Sequence, residues 1–247
     1  MSKTKYSIKM KKNILHKMLF AFIALAMVSC SKDSEGLSKI IDYPQIFVQG
    51  DAFYVSPLGE EFVDPGCTAL YQGKDYTSNL VITGADKINI NVAGLYPITY
   101  SATSPDGYTW SESRTVAVCD PKITTDLSGT WDVDPNSYRV YNGAEVAMGG
   151  AYALKISKLA PGIFKFSDLF GGWYDQRAGY GAAYAIVGQM QLTADNKVIC
   201  LNSSNTPWGD TLNAFLNGVY DPATETITWD AIYNDSKMTF HIILHKK

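Results

Sequence analysis

The segment Leu169-Phe170-Gly171-Gly172-Trp173-Tyr174-Asp175-Gln176-Arg177-Ala178-Gly179-Tyr180-Gly181 sets Trp173, Tyr174 and Tyr180 among four glycines. An acid, an amide and a guanidinium lie between the rings. Large rigid aromatics on a loop can stack on the apolar face of a sugar, while neighbouring polar side chains take its hydroxyls. A second segment, Asn202-Ser203-Ser204-Asn205-Thr206-Pro207-Trp208-Gly209-Asp210, repeats the pattern. If both loops reach the same end of the fold, Trp173 and Trp208 flank one groove. The opposing reading packs each aromatic beneath its own loop. The candidate ligand-binding set is therefore Trp173, Tyr174, Asp175, Gln176, Arg177, Tyr180 and Trp208. Trp131 and Trp229 alternate with polar neighbours inside strand-like runs and are expected in the core. Trp110, close to Pro105-Asp106-Gly107, is expected to pack as well.

Catalytic and metal chemistry find little support. Asp175, Asp210 and Asp230 could be arranged as a glycoside-cleaving pair, which must stand roughly 5–10 Å apart. Any three acids could be so arranged. No nucleophile elbow, H-E-x-x-H or P-loop occurs. Asp132-Val133-Asp134-Pro135-Asn136 has calcium-ligand residue types but lacks the glycine and closing glutamate of an EF-hand, and reads as a turn. His241 and His245 share a strand face about 13 Å apart, too far to hold one metal. No catalytic residue, metal site or cofactor is expected, and the chain is not read as an enzyme.

An exported protein is indicated by the N-terminus. Leu19 to Val28 is almost wholly apolar, the length of a signal-peptide core and too short to span a bilayer. Six lysines and no acid precede it. Met27-Val28-Ser29-Cys30 resembles the lipobox of bacterial lipoproteins, which implies acylation of Cys30 and cleavage before it. Ser31 to Ser38 is small and polar, a tether. Its Ser31-Lys32-Asp33-Ser34-Glu35 resembles the surface-export signal of Bacteroidetes lipoproteins. Without residues 1–29 the chain carries 15 basic and 24 acidic residues, net −9. That balance argues against nucleic acid, whose affinity rests on lysine and arginine at phosphates. Cys67, Cys119 and Cys200 remain in a compartment that permits disulfides. A Cys67–Cys119 bridge and two buried free thiols are both open readings.

From Ile40 onward short apolar runs alternate with turn signals, the pattern of an all-β chain. Strands are expected at Pro44–Val48, Ala52–Val55, Leu80–Thr83, Ile88–Val92, Gly94–Ala102 and Ser113–Val118. In the last, Arg114, Val116 and Val118 share a face. Gly59-Glu60-Glu61-Phe62-Val63-Asp64-Pro65-Gly66-Cys67-Thr68-Ala69 and Asn91-Val92-Ala93-Gly94-Leu95-Tyr96-Pro97-Ile98-Thr99-Tyr100-Ser101-Ala102 resemble the signature stretches of bacterial Ig-like domains first described beside insecticidal crystal toxins. The resemblance covers about residues 43–119 and implies a β-sandwich used as spacer or presentation module. Tyr96 is placed to close a corner on backbone.

After Asp120-Pro121-Lys122 the strand-and-turn pattern resumes. Gly129-Thr130-Trp131 resembles the opening of lipocalin- and avidin-like barrels, and about 120 residues suit eight antiparallel strands. The expected organisation is signal peptide 1–29, lipidated tether 30–39, Ig-like β-sandwich 40–119, linker 120–126 and a barrel or barrel-like sandwich 127–247. The whole layout resembles two-domain Bacteroidetes lipoproteins encoded beside carbohydrate-uptake systems. It implies a lipid-anchored outer-membrane protein, exposed at the cell surface, that binds a polysaccharide or oligosaccharide near a transport complex. A structural or assembly lipoprotein that meets a protein partner through the same aromatics is the alternative.

Overall fold

A computed structural model describes residues 41–247. The expected signal peptide, the lipidation site Cys30 and the tether lie outside the described residues. Residues 43–247 form one compact unit.

The first half is a sandwich of two small sheets. One orders β1 (Gln45–Val48), β3 (Cys67–Tyr71) and β4 (Lys74–Asp75). The other orders β2 (Phe53–Pro57), β7 (Thr109–Cys119), β6 (Gly94–Thr103) and β5 (Val81–Thr83), with β2 and β7 parallel. Between the sheets lie Ile46, Ala69, Ile98, Tyr100, Ala102, Val116 and Val118. Arg114, Val116 and Val118 do share the inward face of β7, and all three are buried. Burying Arg114 requires a partner. Asp64 supplies it: Arg114 Nη1 lies 2.7 Å from Asp64 Oδ1, Nη2 donates to the Gln49 carbonyl, and the Tyr100 hydroxyl donates to the same carboxylate at 2.7 Å. Asp64 thus does more than open an Asp-Pro-Gly turn, because it ties the two signature stretches together. The Tyr96 hydroxyl donates to the Val92 carbonyl at 2.8 Å, the corner expected of it.

Two expectations in this half need correction, and one open reading closes. Ile88–Val92 alternates like a strand but forms turns. Asn89 Oδ1 accepts the Asn91 N–H at 3.0 Å, a local bond that replaces a ladder bond. Trp110 is 46% exposed, edge-on to Tyr43 and donating Nε1–H to Glu112. Of the two readings left open for Cys67 and Cys119, the free thiols hold: Cys119 is buried and Cys67 only partly so. Cys67 opens β3 opposite Val48, whereas Cys119 ends β7 in a separate cluster with Ala117, Ala160 and Ile163.

The second half is a single antiparallel sheet of ten strands, curled on itself. Its strands are β8 (Gly129–Val133), β9 (Tyr138–Tyr141), β10 (Ala144–Ala147), β11 (Tyr152–Ala160), β12 (Ile163–Phe166), β13 (Gly188–Leu192), β14 (Val198–Ser203), β15 (Leu212–Asp221), β16 (Thr226–Tyr233) and β17 (Met238–Lys246). From β8 the sheet runs through β11, β12 and β13 to β14 in one direction. In the other it runs through β17 and β16 to β15. Its ends approach where Lys197 bridges Val219 and the Tyr220 N–H donates to the Asn196 carbonyl at 2.9 Å. The curl encloses the large core. Trp131 and Trp229 lie in it fully buried, as their alternation predicts. Each indole N–H finds a carbonyl at 2.8 Å, Leu127 for Trp131 and Leu169 for Trp229. Phe240, Ile242 and Leu244 supply the inward face of β17.

Residues 43–119 pack directly on the curled sheet. Ala117 and Cys119, on the face of β7 opposite the sandwich core, bury against Ala160 and Ile163, with Phe53, Leu95, Leu159 and Leu201 around them. A cavity of about 410 Å³ opens at this junction, lined by Leu58, Val92, Ile123, Ile163 and Leu192 among others.

Candidate functional site

The glycine-rich segment leaves β12 at Ser167 and is pinned at once by Asp168. This carboxylate is buried. It accepts the N–H groups of Phe170 and Gly172, each at 2.9 Å, and of Ile186 at 3.1 Å. Both ends of the loop are thereby held by one side chain. Burial pushes the Asp168 pKa up to about 7, against the three N–H donors, which pull it down. Gly171 and Gly172 then take φ of +67° and +82°. A Cβ at Gly171 would stand 2.8 Å from Ile242 Cδ1, so the backbone presses on the core where only glycine fits. The reversal throws Trp173–Arg177 into one wide helical turn, in which the Arg177 N–H donates to the Gly172 carbonyl at 2.9 Å.

Burial sorts the candidate residues. Trp173 is only 3% exposed and packs edge-on against Phe240. The Arg177 and Arg139 guanidinium carbons lie 4.1 and 4.5 Å from its ring centroid. It offers no free face for stacking, because a large apolar ring gains more from the core beneath it than from solvent. Gln176 is spent on the scaffold: its amide donates to the Ala153 carbonyl at 2.9 Å and accepts the Ala153 N–H at 3.3 Å. Arg177 Nε donates to the Met148 carbonyl at 2.8 Å, though the residue stays exposed. Asp175 is partly exposed.

The remaining aromatics meet. The second loop turns at Thr206–Asp210, where the Thr206 N–H donates to the Asp210 carbonyl at 3.2 Å. Its base is fixed by the Tyr233 hydroxyl, 3.0 Å from Asp210 Oδ2 and 3.1 Å from Thr206 Oγ1. Burial pushes the Tyr233 pKa up to about 12. Trp208 stands on this turn, 47% exposed, with its ring 4.6 Å from Tyr184, 5.1 Å from Tyr174 and 5.8 Å from Tyr180. Tyr180, 55% exposed, lies parallel to Tyr174 at 6.3 Å and edge-on to Tyr184 at 5.4 Å. The two loops therefore meet at one end of the curled sheet and present an open aromatic platform of Tyr180, Tyr184 and Trp208. Tyr174, 9% exposed, forms its floor. Burial raises the Tyr174 pKa, and the Arg139 guanidinium beside its hydroxyl pulls it back. The cavity at the domain junction shares no lining residue with this platform.

Tyr184, Arg139 and Asp168 were not among the sequence candidates. Tyr184 reads as the start of a strand over 184–192, yet the strand begins at Gly188 and Ala182–Tyr184 is a short 3-10 turn. Asp168 was detectable as an acid just ahead of a Gly-Gly pair. Arg139 is one of only three arginines in the chain. Each remaining histidine faces an acid: His241 Nδ1 lies 2.7 Å from Asp230, and His245 Nε2 lies 2.7 Å from Asp134. Among the described residues no three His, Cys, Asp or Glu side chains converge as a metal site.

Known proteins resemble both halves. A family model for the Ig-like domain of bacterial surface proteins matches residues 46–118, and a model of a C-terminal domain matches residues 120–246. The crystal structure of the lipoprotein BT2262 from Bacteroides thetaiotaomicron is 37% identical over 82% of this chain and 100% of that one, with a TM-score of 0.47. Two structures from Clostridium perfringens ZmpB are more distant. One holds the M60 catalytic domain with CBM51-1 and CBM51-2, at 19% identity over 52% of this chain and 14% of that one, TM-score 0.28. The other holds CBM51-2 in complex with GlcNAc and INT domains, at 21% identity over 49% and 31%, TM-score 0.27. No curated protein matches. With 37% identity across the full length of BT2262, this chain belongs to the family of that lipoprotein, a bacterial Ig-like surface domain followed by the family's C-terminal β domain.

Proposed function

We propose that this chain is an outer-membrane lipoprotein, anchored through Cys30 and exposed at the cell surface, that captures glycan on the platform of Tyr180, Tyr184 and Trp208. One observation carries the reading. Two loops far apart in sequence place Tyr180 and Trp208, each about half exposed, in mutual contact over a rigid floor. Aromatic surface left in water at a pre-organised site gains free energy when a pyranose face covers it. Asp210, at the foot of the Trp208 turn, offers a carboxylate acceptor for a sugar hydroxyl beside the platform. Residues 43–119 hold the binding half away from the membrane. The reading assigns no catalytic step: Asp168 is sealed from solvent and Asp210 is engaged by Tyr233.

Affinity electrophoresis against a panel of polysaccharides tests this, with Trp208→Ala and Tyr180→Ala beside the parent chain. Retardation by a glycan that either substitution abolishes supports capture at the platform. No retardation on any polymer overturns it and turns the aromatic surface toward a protein partner.

A further inference from the structure

The chain has only three arginines. Arg114 is buried against Asp64 in the Ig-like half. The other two, far apart in sequence, come to the same indole: Arg139 from β9 and Arg177 from the glycine-rich loop both lie within 4.5 Å of the Trp173 ring centroid. Among the described residues neither has a carboxylate at ion-pair distance, although the chain carries 24 acids. Arg139 Nε is buried with no hydrogen-bond partner. Arg177 is exposed, with Nε on the Met148 carbonyl. Two guanidinium groups on one indole repel each other, and the ring quadrupole offsets that repulsion only in part. An anion on the exposed Arg177 fork would relieve it. Arginine forks match carboxylate and sulfate oxygens in pairs, and guanidinium is weakly hydrated, so such a group is bound with little desolvation cost. The pair also adjoins the platform. Trp173 precedes Tyr174, and the Arg139 guanidinium stands beside the Tyr174 hydroxyl.

We infer that the glycan taken by the Tyr180–Trp208 platform is anionic, and that the exposed Arg177 holds the carboxylate or sulfate of one of its sugars, with Arg139 adding positive charge at the same indole. This rests on the glycan-capture reading above. A chain whose net charge is −3 does not attract polyanions at long range, so such binding requires a local cationic site.

Affinity electrophoresis of the full chain in non-ionic detergent separates the outcomes. The polymers are polygalacturonate, its carboxyl-reduced form, a sulfated galactan, its desulfated form, and polyglutamate. The expected result is retardation by polygalacturonate or by the sulfated galactan, lost on the matching neutral polymer and weakened by salt. The polymer that retards identifies carboxylate or sulfate as the group held. Arg177→Gln is expected to weaken that binding about ten-fold or more, the effect of one charge-assisted pair. The comparison of charged with neutral polymer uses the parent chain, so it holds even if a variant fails to fold. Equal retardation by a charged polymer and its neutral form overturns the anionic assignment and leaves glycan capture standing. Equal retardation by polyglutamate also overturns it, because charge alone then suffices. No retardation by any polymer overturns glycan capture, and this inference with it.

Discussion

Trp173 and Trp208 are the same residue type in similar glycine- and asparagine-rich company, yet they do different work. Trp173 is sealed beneath its loop and Trp208 stands on top of its own. Substitution separates the two roles. Trp208→Ala is expected to weaken glycan binding about ten-fold, the free energy of one ring contact, with the melting temperature nearly unchanged. Trp173→Ala is expected to cost about 3–5 kcal/mol of stability, as a large ring lost from a core does, read by denaturant unfolding. Equal loss of stability in both would remove Trp208 from the site. Asp168 acts at this scale too. Its folded pKa, about 7, lies above the ordinary carboxylate value, so between roughly pH 4 and pH 7 the folded chain binds a proton that the unfolded chain has released. Its contribution to stability therefore falls as pH rises through that window. Thermal melts of the parent chain and Asp168→Asn at pH 5 and pH 7.5 check this. On acidification the parent should gain stability relative to the variant. The variant, which sets an amide N–H against one of the three loop N–H donors, should be less stable by about 1–3 kcal/mol wherever both fold.

At the scale of elements, the curled sheet depends on how closely β14 and β15 approach. A Cβ at Gly218 would stand 2.1 Å from the Val198 carbonyl oxygen, so that seam tolerates no side chain. Gly218→Ala should push the strands apart and destabilise the C-terminal half by about 1–3 kcal/mol, the range for overpacking, seen as a lower urea midpoint. An unchanged midpoint would mean that the Lys197–Val219 bridge is dispensable. Strands such as β11, β16 and β17 carry period-two alternation in sequence because they bury one face and leave most of the other partly exposed. The same rule misread Ile88–Val92, where the Asn89 side chain accepts the backbone N–H of Asn91. It also missed β9 and β10, whose residues are mostly half-buried or exposed and carry little pattern. The site was half legible. Composition singled out both loops, and they do meet. It could not rank the aromatics within them, because depth is decided by Asp168 and by the left-handed turn at Gly171 and Gly172. The pairing of Arg139 with Arg177 had no local signal at all, since the two lie on different elements and meet only through Trp173.

For the whole molecule, the question is whether the Ig-like half merely spaces the C-terminal half or is fastened to it. The end of β7 is buried on both faces: Val116 and Val118 inward, Ala117 and Cys119 toward Ala160 and Ile163. An apolar contact of this kind, together with Ile123 of the connecting segment packed on the large core, couples the two halves energetically. A rigid mount fixes the direction in which the platform faces, which a flexible spacer would not. Ile163→Asp places an unpaired charge in the junction, whose burial is costly enough to force the contact open. The expected outcome by calorimetry is that a single cooperative transition in the parent resolves into two. Protease cleavage within residues 120–126 should become faster as the halves part. A single transition that only shifts to lower temperature, with no new cleavage, would show that Ile163 supports the curled sheet alone. In that case the Ig-like half would be free to swing, and the platform would have no fixed orientation on the cell surface.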